Sequence, residues 1–222
     1  MPIDRPVKAI VFDFDGVLAD SEPLHLRAYQ TILSPHGIAL TTEEYCARYL
    51  GFDDEGAFRR IAADYNLLFG DEEIEMLMQE KTRVFQGLAN GNVLYGGAAA
   101  CVERLGEMWP LGIASGALRH EIELMLRGAG LQHAFRFIVA AGETDKTKPA
   151  PDPYLRAAEL HGVTAAECVA IEDSVWGLQS ARDAGMRTIG VTHTYPRGTL
   201  TLADLVVDSL EELTVERIAS MG

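Results

Sequence analysis

From Val7 to Phe12 the chain is an apolar run rich in β-branched residues and interrupted only by Lys8, a pattern that predicts a strand covered on both faces within a parallel sheet. After Leu18 the period changes from strand to helix and stays helical through segments near 22–35, 42–49, 54–65 and 71–87. In the last of these, Ile74, Leu77, Lys81, Val84, Phe85 and Leu88 share one stripe, apolar except for Lys81, that reads as core. A breaker-rich stretch over 87–92, followed by Tyr95-Gly96-Gly97, reads as a linker. Beyond it strands alternate with helices, the strands expected at 111–114, 135–141, 168–171, 188–191 and 205–207.

This rhythm predicts an α/β fold: a Rossmann-like, doubly wound parallel sheet with an α-helical domain inserted after the first strand. The core is assigned to residues 1–18 and 92–222, and the helical insertion with its linkers to 19–91. At 222 residues and 48% hydrophobic, the chain can bury a substantial interior. No apolar stretch reaches the length of a membrane span, and Asp13 interrupts the first strand before it could act as a signal-peptide core, so a cytoplasmic protein is expected. Cys46, Cys101 and Cys168 are scattered, without a CxxC pair, and are expected to be buried reduced thiols. A net charge of −14 argues against nucleic acid or an anionic membrane as partner, and requires any anionic substrate to be met by local cations.

The first strand runs into Asp13-Phe14-Asp15-Gly16-Val17-Leu18, where alternation turns both carboxylates to one side. Two ionised carboxylates that close raise one another's pKa, so a divalent cation or a shared proton is expected, with a solvated turn as the ordinary alternative. A calcium loop of the EF-hand type is excluded, because Val17 offers no oxygen and a strand stands where a helix is needed. Three more polar sites end predicted strands or follow them. Ser115-Gly116 precedes a helix, and alone the serine reads as an N-cap. Lys148 opens a proline-rich segment in which Asp152 and Pro153 read as N-cap and first helical residue. Glu172-Asp173 precedes a helix that begins near Ser174 and is closed by Gly185, with a helix cap as the ordinary alternative for the carboxylate pair. Two carboxylate pairs, a hydroxyl and a lysine at one sheet edge suit a divalent cation, magnesium by its oxygen preference, together with a phosphoryl group. Gly128-Ala129-Gly130 reads as a helix end rather than a dinucleotide fingerprint, and His193, which follows a strand and could approach the site, reads rather as a loop histidine without function.

Taken in order, Asp13-Phe14-Asp15-Gly16-Val17, Ser115, Lys148 with its prolines, and Glu172-Asp173-Ser174 resemble the four motifs of the haloacid dehalogenase-like superfamily. The likeness extends over essentially the whole chain and is to the branch with a helical cap, which includes β-phosphoglucomutase and small sugar-phosphate and phosphoglycolate phosphatases. It implies Asp13 as nucleophile, Asp15 as general acid and base, and Ser115, Gly116 and Lys148 as phosphate ligands. It also implies magnesium held by Asp13, the backbone carbonyl of Asp15 and Asp173, with Glu172 in support. The substrate would be a small phosphorylated metabolite, and a monomer is expected. His25 and Lys81 match cap residues of the mutase-like branch, though His25 could be a plain helix-face histidine and Lys81 a snorkelling side chain. Where the mutase carries a cap arginine, this chain reads Gly51-Phe52-Asp53-Asp54-Glu55, with Asp54 in its place. An acidic loop repels a second phosphate, which favours a phosphatase over a phosphomutase; the alternative for Asp53 and Asp54 is a solvated helix start. The rival of another class is a non-catalytic metal- or phosphate-binding protein.

Overall fold

The computed structural model describes residues 6–50, 52–89 and 93–222. Gly51 of the acidic loop and residues 90–92 of the linker therefore lie outside the described residues. The chain forms two compact units, Met1–Asp20 with Gly91–Gly222, and Ser21–Asn90.

The larger unit is built on a six-stranded, all-parallel sheet in the order β3-β2-β1-β4-β5-β6. Its strands are β1 (Ala9–Phe12), β2 (Leu111–Ala114), β3 (Ile138–Val139), β4 (Cys168–Glu172), β5 (Arg187–Val191) and β6 (Leu205–Val207). Every residue of β1, β2 and β4 is buried, as their apolar runs require of a sheet covered on both faces, including Glu172 at the end of β4. The covering helices are α5 (Ala98–Gly106), α6 (Arg119–Gly128), α7 (Asp152–His161), α8 (Val175–Asp183) and α9 (Val215–Ala219). Tyr154, Ala157 and Ala158 of α7 and Ala181 of α8 pack with Ala9, Val11, Ala114 and Ala170 of the sheet in one apolar cluster.

The strand expected over 135–141 is shorter, only Ile138–Val139. It lies at the sheet edge and pairs on one side alone, and the residues before it keep only scattered bonds to β2, from Arg136 N to Leu111 O and from Ile113 N to Phe137 O. Helix α7 begins at Asp152, one residue earlier than expected, with Pro151 in the cap position. Gly130 and Gly185, at φ +73° and +87°, close α6 and α8. Each follows the cap residue and donates two residues back from it, and the next residue reaches one position deeper, which is the Schellman arrangement.

The smaller unit is helical, with α1 (Glu22–Leu33), α2 (Thr42–Arg48), α3 (Asp54–Asp64) and α4 (Asp71–Leu88). Tyr29, Leu33, Tyr45, Tyr49, Phe58 and Ile61 meet Ile74 and Leu77 of α4 in its own apolar core. Among the described residues no helix is long and apolar enough to cross a membrane. The three thiols are free, Cys101 and Cys168 buried as expected, whereas Cys46 is exposed.

Candidate active site

The site forms where β2, β1 and β4 end side by side. The strand order reverses between β1 and β4, so their carboxyl ends flank the topological switch point, the place where open α/β sheets bind ligands. The Asp13 N–H extends the β1–β4 ladder by one bond, to Ile171 O at 2.9 Å, which sets its side chain beside Glu172 and Asp173. Ser115 occupies the corresponding position after β2, its N–H bonded to Val139 O at 2.9 Å. It is not an N-cap: α6 begins at Arg119, and the Ser115 hydroxyl instead accepts from Ala117 N at 3.1 Å. Gly116 beside it is exposed, with open space where a Cβ would stand.

Lys148 joins the carboxylates. Its Nζ lies 2.6 Å from Glu172 Oε1 and 2.9 Å from Asp13 Oδ1, and 4.9 Å above the Tyr154 ring. Burial works to lower its pKa, but Asp13 and Glu172 outweigh it and hold the ammonium charged. Glu172 is fully buried and saturated: Oε1 accepts from Lys148 and from the Tyr154 hydroxyl, while Oε2 accepts from the backbone of Asp173 and Ser174 and from the Ser174 hydroxyl. Ser174, not the carboxylate pair, caps α8 by accepting from Gly177 N at 3.0 Å. A Cβ at Gly177 would stand 1.8 Å from Glu172 Oε1, so only glycine lets the first turn of α8 close over this carboxylate.

Asp13 and Asp173 are different. Burial raises the pKa of each, reinforced by the charge of Glu172 on both, and for Asp13 this prevails over the pull of Lys148. Asp13 Oδ1 makes no hydrogen bond despite its ion-pair distance to Lys148. Oxygens of Asp13, Glu172 and Asp173 lie within 4.8 Å of one another. Oxygen donors carrying more negative charge than their protein partners offset are the donor set of a hard divalent cation, so these residues fit magnesium. The side chain of Asp15 is not in this cluster.

The raised values give a sign. An aspartate whose folded pKa exceeds the ordinary 3.8 contributes stability at low pH that is lost as pH rises through the folded value. The metal-free protein is therefore expected to melt at progressively lower temperature between about pH 4 and 8, and magnesium to raise the melting temperature most at the alkaline end. Differential scanning fluorimetry with magnesium or chelator checks this; a chelated protein that melts higher as pH rises contradicts it.

Two residues that the sequence did not single out complete the site. Tyr154 lies in α7, and only the approach of α7 to β4 brings its hydroxyl 2.8 Å from Glu172. Thr194, in the loop after β5, hydrogen-bonds Asp173. Its neighbour His193 is not idle, since its Nδ1 lies 3.0 Å from Gly16 O.

Within the helical unit His25, Lys81 and Asp54 come together. Lys81 is 1% exposed and thus no snorkelling lysine; its Nζ is 2.6 Å from Asp54 Oδ1 and 2.9 Å from His25 Nδ1. The Tyr29 hydroxyl also donates to Asp54, at 2.7 Å. Burial, then the Lys81 charge, pushes the His25 pKa down to about 3, so its ring is neutral as it stacks on Phe85. Asp53 does separate work: its side chain accepts from Gly56 N at 2.8 Å and caps α3. The two acidic neighbours thus divide, one a helix cap as the ordinary alternative holds, the other a buried-cation partner.

A doubly wound sheet with a carboxylate cluster, a hydroxyl and a fixed lysine at its switch point defines an α/β enzyme of the phosphoric monoester hydrolase class. The chain belongs to the haloacid dehalogenase-like hydrolase family, whose model matches residues 10–191. It is 30% identical to the fructose-1-phosphate phosphatase YqaB of Escherichia coli (strain K12), over 82% of this chain and 95% of that one. It is also 30% identical to the β-phosphoglucomutase of Bacillus subtilis (strain 168), over 95% and 93%. Among solved structures, CbbY from Rhodobacter sphaeroides in complex with phosphate matches with a TM-score of 0.80 and 28% identity, covering 96% of this chain and 99% of that one.

Proposed function

We propose that the protein is a magnesium-dependent phosphatase that hydrolyses a small phosphate monoester, a sugar phosphate or similar metabolite, through an aspartyl-phosphate intermediate. The observation that carries this reading is the pairing of Lys148 with both Asp13 and Glu172 at the switch point, which holds a nucleophilic carboxylate and a phosphate-binding cation within 2.9 Å of each other. Asp13 attacks phosphorus, forming a new P–O bond as the bond to the leaving oxygen breaks, and Asp15 gives that oxygen its proton. Asp15 then takes a proton from water, whose oxygen displaces Asp13 from phosphorus and regenerates both carboxyl groups. Ser115, Gly116 and Lys148 bind the phosphoryl oxygens. Asp13, Asp173 and the backbone carbonyl of Asp15 would hold magnesium, which would supply charge neutralisation for the phosphoryl group. Glu172 supports the site mainly by fixing Lys148, since its oxygens are already engaged by hydrogen bonds. The free thiols support a reducing, cytoplasmic setting.

Phosphatase is preferred to phosphomutase because Asp54 both replaces the mutase arginine and neutralises Lys81, leaving the helical unit less able to attract a second phosphate. The expected result is magnesium-dependent phosphate release from sugar monophosphates at least about tenfold faster than from the matching bisphosphates. A panel that includes phosphoglycolate and an aryl phosphate tests it. Equal turnover of both classes removes the acidic-loop argument, and isomerisation of β-glucose 1-phosphate primed by a bisphosphate installs the mutase instead. No release and no isomerisation favour the binding protein.

A further inference from the structure

Asp15 leads directly into Gly16, at φ +75°, in a turn too crowded for any side chain: a Cβ there would stand 2.0 Å from Asp173 Oδ2 and 2.7 Å from Thr194 Oγ1. Glycine solves the steric problem but brings conformational freedom to the residue next to Asp15. The turn is nevertheless held at both ends of the Gly16 residue. Its N–H donates to Ala19 O at 2.9 Å, and its carbonyl accepts from His193 at 3.0 Å. Because the acceptor is a carbonyl, the neutral ring must carry its proton on Nδ1.

His193 is itself fixed. Its ring stacks on Tyr95, with centroids 3.9 Å apart and planes 24° from parallel. Tyr95 lies on the returning linker, which pairs antiparallel with the outgoing one: Tyr95 N donates to Leu18 O, Asp20 N donates to Val93 O, and Ala19 bridges Leu94. The Tyr95 hydroxyl reaches Asp20 Oδ1 at 3.4 Å. One imidazole therefore joins the loop after β5, the turn that carries Asp15, and the paired linkers.

We propose that His193 is a positioning residue for the reaction: it clasps the Gly16 carbonyl to the linker pair and so holds Asp15 where it can protonate the leaving oxygen. This rests on the assignment of Asp15 as general acid. Loss of the clasp lets the Asp15–Gly16 turn sample other conformations, which costs the step that needs a placed proton more than the step that does not.

The test compares phenyl phosphate with p-nitrophenyl phosphate, two esters of nearly the same shape. Phenoxide is the more basic leaving group and needs the acid; nitrophenoxide leaves without it. For kcat/KM, which reports steps up to the first phosphoryl transfer, His193→Phe keeps a stacking ring and deletes the hydrogen bond. It is expected to lower phenyl phosphate hydrolysis about tenfold and p-nitrophenyl phosphate hydrolysis less than about twofold. His193→Asn, whose amide nitrogen can replace Nδ1, is expected to restore most of the ratio. The ratio is taken on one sample, so a reduced folded fraction cancels. Asp15→Asn is the reference and should show the same dependence more steeply. Proportional loss on both esters in His193→Phe, or no loss, overturns the clasp if Asp15→Asn is steep. A flat response in Asp15→Asn overturns the general-acid assignment, and the clasp with it.

Discussion

Asp13→Asn is expected to abolish phosphate release, by at least about 10⁴-fold in kcat, while leaving the metal-free protein no less stable than the wild type. The first half follows from the loss of the attacking oxygen: an amide cannot form the acyl phosphate, and no other group in the cluster can substitute. Glu172 is locked by its donors, and Asp173, just after β4, is raised in pKa by burial and by Glu172. The second half follows from electrostatics. Asp13 is a buried carboxylate in an acidic cluster, its pKa raised by burial and by Glu172 and Asp15 despite Lys148, so neutralising it removes repulsion rather than a net attraction. The same variant should lose much of the stabilisation by magnesium, since a carboxylate ligand has gone. Rate measurements at saturating substrate together with melting curves in magnesium and in chelator check both halves. A variant that is inactive because it is unfolded contradicts the account as clearly as one that turns over.

Lys148→Met separates from this result by failing in both respects. The ammonium is the cation shared by Asp13 and Glu172, and its removal leaves Glu172 fully buried with hydrogen-bond donors but no counter-charge. Breaking one side of a buried ion pair costs about 3–5 kcal/mol, so the variant should unfold at markedly lower denaturant concentration than wild type, in contrast to Asp13→Asn. Activity should also fall by orders of magnitude, because a phosphoryl-binding charge is absent and the carboxylates crowd the incoming anion. Urea unfolding in chelator separates the stability loss from any effect on metal binding. If Lys148→Met proves as stable as wild type, the lysine is not the charge that balances Glu172. On the expected outcome, the double variant Lys148→Met with Glu172→Gln should recover part of the lost stability but not the rate, since the buried anion is gone while the phosphate ligand is still missing.

The site was legible in the sequence to the extent that its residues sit at the ends of recognisable elements. The run over 7–12 must be a buried strand because nothing in it is polar enough to face water, apart from Lys8 near its start, and Asp13 must then emerge at its end. The same argument places Glu172 at the end of β4, Asp173 after it and Ser115 after β2. What the period of the sequence cannot express is which polar groups from remote segments share a partner. Tyr154, Thr194 and His193 are 18, 21 and 177 residues from the groups they hold, Glu172, Asp173 and Gly16, and none bears a local pattern that points there. Ser115 as a helix cap and Lys81 as a snorkelling side chain were reasonable local readings; the first failed because α6 starts only at Arg119, the second because Lys81 is buried against Asp54 and His25, partners remote in sequence.

By itself, then, the sequence determined the alternation of buried strands and amphipathic helices, hence the parallel sheet, the helical insertion, and the edge at which the carboxylates, serine and lysine gather. These follow from short-range rules, since strand and helix periods and the need to bury apolar surface act within each element. Only the tertiary structure decided how charge is apportioned inside the site. Glu172 is saturated while Asp13 and Asp173 are left electrostatically strained, Asp54 neutralises Lys81 while Asp53 caps a helix, and His193 grips the turn after Asp15. The reason is physical: a charge in a buried site takes its energy from whatever groups the fold brings within a few ångströms, and those groups are neighbours in space but not in sequence.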